Sequence, residues 1–275
     1  MRICLIVLSA LFAGGCSTTR VFYDNADIYL KWKLSSYLAL DSADAAELDG
    51  RVEDFVAWHR AHALPQYAAI ADDAALRLSR GLSREDLVWG YDSAMTQARE
   101  SARAAAERIA PLLDRLTPAQ VAHLEREFAD DNRKFARQYL RGGEPERRRR
   151  RVERNVERLE DWVGGLSEAQ IERVALYSER APLLEEFRER DRQRLQSELL
   201  ALVRARQAQK RLPDAAAHWD AGRDPAYAAA YEASRREYFA MLLDIDRSLS
   251  AEQRARALRL VKRWGEDFRK LAQKR

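Results

Sequence analysis

Four times along this chain a leucine precedes a serine or threonine, and a glutamine or aspartate follows three residues after the hydroxyl. The copies are Leu82-Ser83-Arg84-Glu85-Asp86, Leu116-Thr117-Pro118-Ala119-Gln120, Leu166-Ser167-Glu168-Ala169-Gln170 and Leu249-Ser250-Ala251-Glu252-Gln253. A hydroxyl at the N-cap accepts a hydrogen bond from the third helical N–H, and the side chain at that third position reaches back to the N-cap N–H. Two otherwise unpaired donors are satisfied, so each copy marks a helix start. Leu40-Asp41-Ser42-Ala43-Asp44 is a weaker fifth copy, with a carboxylate in place of the hydroxyl. Pro118 falls at the first helical position, where its missing N–H costs nothing. The copies lie 34, 50 and 83 residues apart, too irregular for a solenoid.

Between these starts the apolar residues keep a helical period. Val121, Leu124, Phe128, Phe135 and Tyr139 fall on one face, as do Val152, Val156, Leu159 and Val163. Tyr227, Tyr231, Tyr238 and Ile245 follow the same rule, and Ala257, Val261, Trp264, Phe268 and Leu271 step by four and three to the end of the chain. Breaks are expected at Gly81, Gly142-Gly143, Gly164-Gly165 and the segment from Pro213 to Pro225, and Pro65, Pro111 and Pro182 should kink or split helices. Val, Ile and Thr number only 23 against 46 alanines, too few β-formers for a sandwich or a parallel sheet. The fold expected is all-α, an elongated bundle of about eight to ten helices arranged as antiparallel hairpins, with no sheet. Subdomain joints, if present, fall near 142–143 and 213–225.

The first residues carry a different signal. Met1-Arg2 is a short positive start, Ile3 to Phe12 is an apolar run, and Ala13-Gly14-Gly15-Cys16 follows. An apolar run of ten residues reaches about half of a ~30 Å hydrocarbon layer, which fits a signal peptide and not a spanning helix. Small residues ending in cysteine resemble the bacterial lipobox. That resemblance implies cleavage after Gly15, loss of residues 1–15, and a mature helical domain 16–275 carrying diacylglycerol and a further acyl chain, palmitate for example, on Cys16. Cys4, the one other cysteine, leaves with the signal. Ser17 in place of aspartate after the cysteine points to the periplasmic leaflet of the outer membrane. The mature chain then carries 47 Lys and Arg against 44 Asp and Glu, so a pI near 9.1 reflects little net charge. The export route argues against nucleic acid as a partner.

Two further resemblances rest on motifs. The Leu-Ser/Thr-x-x-Gln copies at 116–120, 166–170 and 249–253 are similar to the repeated motif of the Spy and CpxP periplasmic chaperones, helical cradles that hold unfolded clients. Cys16, then Tyr23, Asn25 and Asp27, Trp32-Lys33-Leu34, Trp58-His59-Arg60 and Leu64-Pro65-Gln66-Tyr67 resemble an uncharacterised proteobacterial outer-membrane lipoprotein family. That resemblance implies a lipid-anchored envelope protein and no catalytic residue.

Candidate chemistry is sparse. His59 and His62 stand one helical turn apart, a spacing that suits a shared metal, but no HExxH set completes them; helix packing is the competing reading. There is no G-x-S-x-G elbow and no phosphate loop, and nearly every carboxylate has an arginine within a turn. Five consecutive arginines, Arg147, Arg148, Arg149, Arg150 and Arg151, could dock on anionic headgroups, but glutamates interleave them and a solvated helix start is expected. The aromatics Trp58, Tyr67, Trp89 and Tyr91, with Tyr23, Tyr29 and Trp32 upstream, are expected to pack in the core. The chain is thus expected to be a non-enzymatic interaction protein without a cofactor: an envelope scaffold, a client-holding chaperone or an accessory subunit with a protein partner. A metal-binding protein or enzyme using the His59/His62 helix is the alternative.

Overall fold

The computed structural model describes residue 20 and residues 23–274, and it is all-α. The elements are α1 (Ala26–Leu38), α2 (Ser42–Trp58), a π-helical turn (His59–Ala63), α3 (Leu64–Ser79), α4 (Arg84–Leu113), α5 (Pro118–Tyr139), α6 (Glu144–Val163), α7 (Glu168–Arg180), α8 (Glu185–Arg204), α9 (Ala208–Ala217), α10 (Pro225–Ser248) and α11 (Ala251–Ala272). Because α2, the π turn and α3 run on without a break, the described residues form ten continuous helices and no strand. Cys16 and residues 1–15, expected to be a signal peptide, lie outside the described residues.

The four predicted capping boxes form. The hydroxyls of Ser83, Thr117, Ser167 and Ser250 accept from the third helical N–H, and Asp86, Gln120, Gln170 and Gln253 return the bond. Asp41 makes the cap of α2 alone, its carboxylate accepting from Ala43 and Asp44. The glutamines do more than cap. Gln170 Nε2 donates to Gln253 Oε1 at 3.1 Å and Gln253 Nε2 donates back to Gln170 Oε1 at 3.0 Å, so the starts of α7 and α11 interlock. Gln253 also donates to the Gly165 carbonyl and Gln170 to the Ser248 carbonyl, while Gln120 donates to the Ala39 carbonyl. A glutamate could cap these helices but could not supply these amide donors.

The prolines behave differently from one another. Pro182 ends a helix as expected, in the link between α7 and α8. Pro65 does not split its helix: the turn before it widens to π geometry, with the Leu64 N–H donating to the His59 carbonyl, and the helix passes the proline. Pro111 sits in the last turn of α4 and Pro213 inside α9, so the loop expected from Pro213 starts only after Ala217. The extra residue of the π turn also rotates the apolar face. Leu48, Val52 and Val56 before it pack in a core with Leu112, Leu116, Leu124, Leu200 and Val203. Ala63, Leu64, Tyr67 and Ala68 after it pack instead with Trp264, Phe268 and Leu271.

Sequential hairpins are only part of the architecture. The two most extensive helix pairings join distant segments, α3 with α11 and α4 with α9. In the first, Arg254 reaches the Leu78 carbonyl, Val261 packs with Ala71 and Ala75, and Phe268 meets Tyr67, so the helices run antiparallel. In the second, Asp114 at the end of α4 caps the start of α9, accepting from Ala208 N at 2.7 Å and Gln209 N at 2.9 Å. A third core joins α6, α7 and α10 through Leu159, Val174, Tyr177, Met241 and Ile245. It meets α11 where Trp162 stands edge-on to Trp264 at 4.7 Å.

Candidate functional site

The motif residues of the family resemblance gather at the π turn. His59 is 3% exposed and shares a 2.8 Å hydrogen bond between its Nδ1 and the Tyr23 hydroxyl. Tyr67 stands edge-on to the His59 ring and tilts against Phe268 of α11. Arg60 lies over the Tyr23 ring, 5.7 Å from its centroid. Burial favours the uncharged imidazole and pushes the His59 pKa down to about 4, and it raises that of Tyr23. At neutral pH the pair is therefore an uncharged, hydrogen-bonded strut. Pro65 follows the π turn as the second residue of α3, Asn25 precedes α1, and Asp27 lies in the first turn of α1, where a carboxylate favours the helix dipole.

His62 does not join His59. Its ring stacks on Trp58, 5.4 Å between centroids and 12° between planes, and its Nδ1 is bonded to the Trp58 carbonyl. Arg108 covers the Trp58 ring at 5.6 Å. No group of three or more His, Cys, Asp or Glu positioned to hold a metal occurs among the described residues.

The start of the described chain is tied down by charge. Arg20 pairs at 3.0 Å with the buried Asp267, and Lys274 pairs with Asp24 at 2.5 Å. With the Tyr23–His59 bond, these fasten the stretch before α1 onto α2 and α11.

The arginine run divides in an unexpected way. Arg151 is 7% exposed, and its guanidinium donates to the carbonyls of Ser178, Ala181 and Pro182 while resting over the Tyr177 ring. Arg148 donates to the carbonyls of Ser178, Glu179 and Ala181 and pairs with Glu144. Two arginines one turn apart thus cap the C-terminal end of α7, where unpaired carbonyls and the negative helix pole favour cations. Burial lowers the pKa of Arg151. Arg147 pairs with Glu186 and Arg150 with Glu146. Within the run, Arg149 alone projects outward, its side chain 71% exposed and 3.8 Å from Glu153. The solvated helix start expected for the whole run is corrected for Arg148 and Arg151, and a five-arginine anionic-surface contact is not what the geometry presents.

Two surface features complete the inventory. An open groove of about 430 Å³ runs between α3 and α11, lined by Asp72, Leu76, Ser79, Lys262, Glu266 and Arg269, with Leu76 69% exposed. The second is α1. Ile28 is 61%, Tyr29 39% and Trp32 63% exposed, whereas Leu30, Tyr37 and Leu38 on the opposite side are buried. The aromatics expected in the core therefore divide, and the expectation is corrected for Tyr29 and Trp32. Tyr23 and Tyr67 are core, Trp89 lies half-buried under Arg77, Tyr91 bonds to the Tyr231 hydroxyl, and Tyr29 and Trp32 face outward. No described helix is long and apolar enough to cross a membrane.

Sequence reasoning found the π-turn residues but missed the Tyr67–Phe268 contact, the Arg20–Asp267 pair and the Gln170–Gln253 pair. Those contacts join residues at least 83 positions apart and leave no local pattern. Compared with known families, the chain matches the family model described as Family of unknown function (DUF6279) over residues 36–220. The matched span takes in Trp58-His59-Arg60, Pro65 and Tyr67 and begins after Tyr23, Asn25 and Asp27. Neither a curated protein nor a solved structure matches the chain.

Proposed function

The chain belongs to the family of unknown function DUF6279, and from its own residues we infer that it is a lipid-anchored protein of the bacterial envelope that acts by binding and not by catalysis. The anchor is Cys16, acylated after cleavage behind Gly15, which places the helical domain on the periplasmic leaflet of the outer membrane. The role is that of an envelope scaffold, a client-holding chaperone or an accessory subunit, and the partner is a protein.

The observation that carries this reading is the use made of the two histidines. The candidates for chemistry serve packing: His59 is buried, uncharged and bonded to Tyr23, and His62 is stacked on Trp58. The Leu-Ser/Thr-x-x-Gln copies likewise act as caps and interlocks, so a client surface would lie elsewhere. The groove beside Leu76 is lined by apolar side chains, Leu76 and Leu258, together with charged ones, among them the Asp72–Arg269 ion pair, and is one surface on which a protein segment could lie.

Two experiments test this reading. Cells fed a clickable fatty acid should label the wild-type chain and leave the Cys16→Ser variant unlabelled and uncleaved; a wild type without label contradicts the anchor. Zinc or copper titration of the mature protein, followed by tryptophan fluorescence and calorimetry, should show no low-micromolar site. Binding that disappears in a His59→Ala, His62→Ala double variant would establish the alternative, an envelope metal protein.

A further inference from the structure

We propose that α1 is a second contact with the bilayer, an interfacial helix whose Ile28, Tyr29 and Trp32 enter the headgroup–acyl boundary of the leaflet holding the Cys16 lipid; this deepens the anchor reading and rests on it. The first argument is the patterning of α1. At 100° per residue, Ile28, Tyr29 and Trp32 fall within about 100° of one another, and Leu30, Leu34, Tyr37 and Leu38 occupy the opposite side. A helix needs one apolar face to fold onto its neighbours, and α1 meets that need with the inner face, against α2 and α5. The outer face is surplus to folding. Of the five large apolar side chains exposed among the described residues, it holds three.

The chemistry of that surplus suits a membrane interface. Trp and Tyr carry an apolar ring with a polar edge, and they concentrate where hydrocarbon meets headgroups. Tyr29 and Trp32 are neighbours, 6.0 Å between ring centroids, and present one continuous patch.

Position supplies the occupant. Arg20 is fixed to the body by Asp267, and Cys16 is only four residues upstream, so covalent geometry keeps the anchor within about 14 Å of Arg20. The Tyr23–His59 bond and the Lys274–Asp24 pair hold the next residues, and α1 begins at Ala26. A lipid on Cys16 therefore brings the bilayer surface to the neighbourhood of α1. The acyl chains on Cys16 hold the protein to the leaflet by themselves, so the patch acts on how the helical domain lies against the surface.

The test uses mature protein purified from membranes and reconstituted in phosphatidylethanolamine/phosphatidylglycerol vesicles, with or without bromine on the acyl chains. Brominated lipid should quench part of the emission of the six tryptophans, and the Trp32→Phe variant should lose that quenching. The mass of the N-terminal peptide is read on the same sample. Missing lipid there contradicts the anchor, whereas unquenched Trp32 in a chain that carries lipid overturns the proposal for α1. A chain starting at Ser17, with neither signal nor lipid, reads the patch independently: its partitioning onto the same vesicles should fall about tenfold with Ile28→Ser, Trp32→Ser. Equal partitioning of the two, or a concentration-dependent dimer that the double substitution dissolves, would show that lipid does not occupy this face.

Discussion

His59 and Arg151 show how much of this protein's polar chemistry is spent inside it. His59 binds a proton less readily folded than unfolded, because burial disfavours the imidazolium. The unfolded chain therefore takes up more protons between pH 6.5 and about 4, and stability rises with pH across that window. Relative to a His59→Gln variant, wild type should lose on the order of 3 kcal/mol as pH falls from 7 to 4, a difference that urea melts at each pH would resolve. Parallel curves would mean that the ring is not desolvated. Arg151 carries the opposite lesson about exposed charge. Arg151→Gln removes the donor to the Pro182 carbonyl and empties a buried guanidinium site, while Arg148 still reaches Ser178 and Ala181, and should cost about 1–3 kcal/mol, whereas Arg149→Gln should stay within about 0.5 kcal/mol. Five identical letters in a row concealed two different environments, because the identity of a side chain says nothing of what faces it across a helix pair.

At the scale of elements, helix starts were legible and helix partners were not. A capping box is a local device whose donor and acceptor lie three residues apart, so Ser83, Thr117, Ser167 and Ser250 were readable from the chain alone. Thr117→Ala should cost about 1 kcal/mol in urea melts. Gln170→Glu should cost more, about 2–3 kcal/mol, because a charge replaces an amide that is 2% exposed and donates to Ser248 and Gln253. Equal losses at the two positions would reduce the interlock to an ordinary cap. The prolines were less legible. Pro65 has the pattern of a helix breaker, but a π turn absorbs it, since widening one turn relieves the clash while keeping the axis. The same turn gathers His59, Arg60 and Tyr67 at one place, so the motif and the irregularity have one structural origin.

In the whole molecule, the C-terminal helix closes the fold over the N-terminal third. The α3–α11 seam is lined with small residues, Ala71 and Ala75 facing Gly265 and Val261, and the helices approach closely there. A Cβ on Gly265 would stand 3.1 Å from Asp72 Oδ1 and 3.5 Å from Ala71 Cβ. Gly265→Leu should therefore push α11 off α3, destabilise by about 1–3 kcal/mol, and speed hydrogen exchange in both helices together. Exchange confined to α11 would show that the seam is not a shared unit. Clasps of this kind join residues nearly two hundred positions apart. The reading of the molecule as a lipid-anchored binding protein turns on the chemistry at Cys16. Intact-mass analysis of protein extracted from cell membranes tests it most directly. The reading predicts a chain beginning at residue 16 with the added mass of a diacylglyceryl group and a further acyl chain. A chain that starts elsewhere, or that carries an unmodified Cys16, would contradict it.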